Sequence, residues 1–179
     1  MIATQQMIFT EGALISAGIG SIHDLCERRI PNLLTGPAIL IALALHAVYG
    51  GWSGLASSAL AGLIAGAIFL IFYLAGGMGA GDVKLIAAVG CLAGLSNTAY
   101  LLVLTSLAGG AMGIVFALMR GRLKETLLNV GEITTHHRKS GLKPHPDLNV
   151  RNGSTLRLPY GVAIAAGSSI TFYLLGMQR

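Results

Sequence analysis

Charge is the scarcest property of this chain: Asp, Glu, Lys and Arg make up 11% of its 179 residues, about half the share found in soluble domains. No charged residue occurs from Ile30 to Gly81, from Leu85 to Met119, or from Leu158 to Gln178. Runs of that length exclude a water-soluble domain. At about 20 apolar residues per bilayer crossing, they divide into five spans, and the segment before Asp24 adds a sixth. Alternating strand patterns are also missing. Because every backbone group in lipid must be satisfied internally, the expected fold is all-α, a polytopic bundle of about six transmembrane helices. Cysteine is limited to Cys26 and Cys91, in no CxxC or Cys/His pattern, so neither a disulfide framework nor a zinc site is supported. No Lys or Arg precedes Arg28. The opening segment therefore lacks the basic start of a secretory signal and is read as a retained helix.

What charge there is has a clear arrangement. With spans near residues 7–23, 33–49, 55–75, 83–95, 98–119 and 158–176, eleven of the twelve basic residues fall on one side, from Arg28 and Arg29 through Lys84 to the stretch from Arg120 to Arg157. Only Arg179 falls on the other. The positive-inside rule then puts that face in the cytoplasm and the N-terminus outside. The formal charge of +5 is accounted for by this sorting, and no nucleic-acid partner is expected.

One membrane domain fills residues 1–179, with a polar cytoplasmic loop at 121–157. Gly50-Gly51-Trp52-Ser53-Gly54 and Leu95-Ser96-Asn97 read as short outside turns. Small residues four apart, at Gly62 and Gly66, Gly90 and Gly94, and Gly109 and Gly113, allow helix backbones to approach closely. His136, His137, His145 and Asp147 in the long loop match no metal-ligand spacing. No metal and no cofactor is expected, and the loop is read as solvated and mobile. His23 and His46 are read as packing or interfacial residues.

Of the three aspartates, two stand at the basic ends of spans: Asp24, shortly before Ile30-Pro31-Asn32, and Asp82, which closes Gly76-Gly77-Met78-Gly79-Ala80-Gly81-Asp82. Ionisable groups near membrane depth are costly and mark function. Two readings stay open for each. Asp24 either pairs with Arg28 one helical turn on or works in a site; Asp82 either caps a helix or works in a site. The four glycines before Asp82 let the backbone bend or another chain approach. They do not form a phosphate loop, since the Lys-Ser/Thr of that motif is missing. Lys84, two residues from Asp82, points to a different face and either snorkels to the interface or contacts substrate.

Asp24 with Ile30-Pro31-Asn32, Gly79-Ala80-Gly81-Asp82-Val83-Lys84-Leu85, and Leu158-Pro159-Tyr160-Gly161 occur in the order seen in the prepilin peptidase family, which this chain resembles over about residues 10–175. GxGD alone is shared with presenilins; GxGDxKL is the more specific stretch. The resemblance implies a membrane-embedded aspartic endopeptidase that removes the short basic leader of prepilins or pseudopilins at the cytoplasmic face. It also implies that Asp24 and Asp82 are the catalytic pair, with Gly79, Gly81, Lys84, Pro31, Asn32, Pro159, Tyr160 and Gly161 shaping the site or touching substrate. The partners it implies are a prepilin or pseudopilin helix and the lipid bilayer. Paired CxxC motifs, associated in larger members with N-methylation, do not occur here, so methyltransferase activity is not expected. The compact form resembles the peptidases of tight-adherence (Flp) pilus systems, with Tyr160 where Phe is more usual. The alternative is a small ion- or proton-coupled transporter in which Asp24, Asp82 and Lys84 line a path.

Overall fold

The structure is a computed structural model that describes residues 2–146, 148–149 and 158–177. Asp147, Arg157 and Arg179 lie outside the described residues. The described chain forms six helices: α1 (Ile2–Glu27), α2 (Asn32–Leu74), α3 (Ala80–Ala93), α4 (Leu95–Met119), α5 (Leu123–Ser140) and α6 (Tyr160–Met177). The all-α expectation holds among the described residues. Two of the helices, α2 and α4, are long and apolar enough to cross a membrane.

At 43 residues, α2 would run about 65 Å if straight, twice the hydrocarbon thickness of a bilayer. It is not straight. Gly51 takes φ 59° and ψ −148°, a conformation open to glycine alone, and the chain reverses there. A side chain at Gly54 would collide with the His46 carbonyl oxygen, a contact that eight residues of straight helix would not permit. The Gly50–Gly54 turn thus appears as a break inside one helix, and the two arms, 32–50 and 52–74, correspond to the second and third expected spans. The other expected turn is displaced. Gly94, at φ 73°, makes the break between α3 and α4, and Leu95-Ser96-Asn97 is already the first turn of α4, because only glycine adopts that φ without strain.

Much of the packing inside the bundle is between small residues, around a core that also holds Leu85, Ile86, Val89, Leu101 and Ile164, while many other large apolar side chains face outward. Ala13, Ala17, Ala42, Ala61, Ala65 and Ala88 are buried, whereas Leu33, Leu63, Trp52 and Val103 are exposed. This inversion suits lipid, where apolar surface gains nothing by leaving the exterior and association depends on close backbone packing. The most extensive contact joins α2 to α3. Gly62 lies against Cys91, Gly66 against the Ala87 methyl, and Gly90 against Ala65 and the Ala61 carbonyl. Ser58 Oγ also donates to the Cys91 carbonyl oxygen at 2.9 Å. On the opposite flank, Gly109 and Gly113 of α4 face Ala163 and Leu158, and Gly167 of α6 closes on Thr105.

Successive helices alternate in direction, so the end of α1, the start of α2, the start of α3, the end of α4 and the start of α6 share one end of the bundle. His46 sits toward the other end, its ring stacked on Phe9 at 4.0 Å and its Nε2 3.3 Å from the Leu92 carbonyl oxygen, which agrees with its reading as a packing residue. His23 lies 3.7 Å from Glu27. Part of the polar 121–157 connection, expected as a loop, is helical. Residues 123–140 form α5, whose first turn contains a Glu125 carboxylate held by the Arg122 guanidinium at 2.7 Å and whose last turn carries His137, Arg138 and Lys139, both favourable to the helix dipole.

Candidate active site

The register of α1 against α3 decides where the two aspartates meet. Along this antiparallel pair, Gly12 meets Leu92 and Gly20 meets Leu85, with a Cβ at Gly20 falling 2.7 Å from the Leu85 methyls. One turn further on, Asp24 comes level with Asp82. Both acids line a cavity of about 390 Å³, walled on its other sides by Met78, Phe116, Leu158 and Tyr160. An adjoining cavity of about 480 Å³ is lined by the same two acids together with Arg29, Pro31, Asn32 and Lys84. The carboxylates are therefore shared by two openings, and each lies within electrostatic reach of the other.

Each carboxylate is held by a backbone amide from a glycine. Asp24 Oδ2 accepts from Gly161 N–H at 2.8 Å, a bond from the start of α6 to the end of α1. Gly161 has to be glycine, since a Cβ there would stand 2.9 Å from the Asp24 Cβ. Asp82 is the third residue of α3 and only 7% exposed. Its Oδ2 accepts from Gly79 N–H at 3.0 Å, satisfying a donor at the N-terminal end of its own helix. The capping reading of Asp82 is thus half right, and it coexists with exposure of the same carboxylate to the shared cavity. One buried acid, Asp82, and one half-buried acid, Asp24, each fixed by one amide, keep their other oxygen available.

No salt bridge joins Asp24 to Arg28 among the described residues. Arg28 takes φ 52°, so the helix stops before it; its backbone N–H donates to the Asp24 carbonyl oxygen at 3.1 Å, and the residue lines both cavities beside Asp24, where its charge acts on that carboxylate. Lys84 Nζ donates to Asn32 Oδ1 at 2.8 Å, beside the two acids. That bond ties the Ile30-Pro31-Asn32 segment to the glycine-rich one. Gly81 serves the same junction, because a Cβ there would stand 3.1 Å from the Ile30 Cβ.

The sequence-selected residues accordingly assemble. Asp24, Pro31, Asn32, Gly79, Gly81, Asp82 and Lys84 share one cavity, and Pro159 and Tyr160 line the other beside the same acids. Missed in the sequence were Leu25, Met78 and Phe116, which complete the apolar wall. As apolar residues in an apolar chain they give no signal. Gly20, which brings α1 onto Leu85, was likewise not singled out. No cluster of three or more His, Cys, Asp or Glu residues able to hold a metal occurs among the described residues. In chemical terms, the arrangement offers two carboxyl groups facing a common cavity, with aromatic and apolar side chains on one side and basic residues on the other. Such a pair can divide one proton between an acid and a base.

A family described as the type IV leader peptidase family matches residues 12–114. The matched segment includes Asp24, Pro31, Asn32 and the whole of Gly79–Lys84, and stops short of Pro159-Tyr160-Gly161. No curated protein and no solved structure matches the chain.

Proposed function

This chain belongs to the type IV leader peptidase family, and on that premise we propose that it is a multi-pass aspartic endopeptidase of the inner membrane whose Asp24 and Asp82 cut prepilin leaders. The observation that carries this reading is the shared cavity at one end of the bundle, lined by both carboxylates and by no other pair of acids. Its rim bears the basic residues Arg28, Arg29 and Lys84, which under the positive-inside rule turns this end toward the cytoplasm and both described ends of the chain outward.

The reaction needs no covalent intermediate. Two carboxyl groups that line one cavity and act on each other's charge cannot both ionise cheaply, so one carries a proton and the other does not. The charged one takes a proton from water as the water oxygen attacks the scissile carbonyl carbon. The neutral one donates a hydrogen bond to the carbonyl oxygen, where negative charge develops. When the C–N bond breaks, the leaving nitrogen takes the proton and the two carboxyls return to sharing one. The Gly161 and Gly79 amides orient the acids throughout. Because the pair titrates jointly, neither role is assigned to one aspartate.

Coexpression with a candidate prepilin tests the proposal. Asp24→Asn and Asp82→Asn are each expected to cut leader removal by about 10²- to 10⁴-fold, the usual contribution of a general acid or base, while leaving the protein folded in the membrane. Full processing by either variant would end the assignment.

A further inference from the structure

The proposed peptidase site leaves α5 unexplained. This helix buries none of its residues and, of the other helices, touches α4 alone. Its outer side carries Leu127, Leu128 and Val130, all more than half exposed, yet with Lys124, Glu125, Glu132, Arg138 and Lys139 along its length it cannot cross a bilayer. An exposed apolar strip on a charged helix calls for a cover.

Charge identifies the cover. Between residues 120 and 143 six Lys and Arg residues face two carboxylates. Glu125 is taken by Arg122, and Glu132 faces His145 at 3.6 Å. Lys124, Arg138, Lys139 and Lys143 have no carboxylate partner among the described residues. At 100° per residue, Lys124, Leu127, Thr134 and Arg138 fall on one strip, so a leucine is flanked along the axis by a cation at either end. Long basic stems beside an apolar strip let the charges reach a headgroup layer while the leucine enters the acyl boundary.

Position agrees. The apolar α4 ends at Met119, and only three residues, with Gly121 turning at φ 65°, separate it from Leu123. The four steps from Met119 to Leu123 reach at most about 14 Å, so α5 starts near the depth where α4 leaves the hydrocarbon. A second copy of this chain would meet the strip with the same positive charge.

We propose that α5 lies in the plane of the membrane at the site end of the bundle and binds anionic phospholipid headgroups. The test uses the full chain in vesicles, with Trp52, its one tryptophan, changed to Phe and a reporter introduced as Leu127→Trp. A comparison protein carries Glu125→Trp, 160° away round the helix. In vesicles of phosphatidylcholine mixed with phosphatidylglycerol, lipid-borne bromine quenches the reporter at 127 and aqueous iodide quenches the one at 125. In phosphatidylcholine alone, bromine quenching at 127 falls by about fivefold or more, the effect of roughly one basic residue at an anionic surface. The triple change Lys124→Gln, Arg138→Gln, Lys139→Gln produces the same fall in mixed vesicles. The reading is overturned if iodide reaches both positions equally in mixed vesicles, if bromine quenching at 127 is the same in both lipids, or if the reporter at 127 is shielded from bromine and iodide alike, which would mean a protein covers it.

Discussion

Single atoms decide much of what happens at Gly161. Its amide is the donor to Asp24 Oδ2, and its missing Cβ is what lets α6 come close enough to donate. A methyl placed there would stand 2.9 Å from the Asp24 Cβ and 3.2 Å from the Ser21 Cα, a clash with two atoms fixed by the α1 backbone. Gly161→Ala is therefore expected to push the start of α6 away and lengthen or break that hydrogen bond. A displacement on that scale costs a reaction about 10²-fold. Gly110→Ala is the control, since its added methyl meets nothing within 4 Å. Leader cleavage by the two variants, at matched levels of folded protein, checks the difference. If the two cleave alike, the Gly161 amide does not position Asp24. The sequence marks Gly161 only through the Leu158-Pro159-Tyr160-Gly161 motif. That its amide points at Asp24, 137 residues earlier in the chain, has no local trace.

At the scale of elements, α3 is the pivot. It carries Asp82, packs on the second arm of the α2 hairpin through glycines, and presents Leu85 to Gly20 of α1. The α2–α3 seam is the more sensitive of these contacts. A side chain at Gly62 would overlap the Cys91 sulfur and stand 3.0 Å from the Ala87 carbonyl oxygen, with no room to swing aside. Overpacking of this kind costs about 1–3 kcal/mol. Gly62→Val should accordingly lower the melting temperature of the detergent-purified protein. Gly36→Val, in the same helix with nothing near its Cβ, should change it little. Equal melting temperatures for the two would mean that α2 and α3 are not packed as described. The small-residue spacing at Gly62, Gly66 and Gly90 announces a close helix pair, because only such residues allow it. Which helix each one meets is not in the spacing. The helix α5 was hidden for a related reason: its Lys, His and Thr content and low hydrophobicity resemble a solvated loop, and its stabilising feature, an acid first turn with a basic last turn, is weak.

Across the whole molecule, the proposed reaction depends on three helices from distant parts of the chain meeting at one end. Asp24 comes from the first helix, Asp82 from the third, and Gly161 from the last. If the two acids divide one proton, removing either carboxylate removes the whole device. The double variant Asp24→Asn/Asp82→Asn should then cleave leaders as slowly as the worse single variant, within about threefold, as groups that act as a unit do. Single-turnover cleavage of a reconstituted prepilin measures this. Independent losses that multiply would mean the two acids do not share a step.

The sequence by itself determined the all-α bundle and the approximate bounds of its apolar helices. Each follows from the local balance of apolar and charged residues, which the bilayer reads segment by segment. Tertiary structure alone decided which residue of the expected 50–54 turn reverses the chain, Gly51, and that Lys84 bonds Asn32. It also decided that the register of α1 on α3 sets Asp24 opposite Asp82. The physical reason is the same in each case. Hydropathy fixes how deep a residue lies, but rotation and register about a helix axis are settled by which small residues let which backbones touch, and those partners are far apart in the chain.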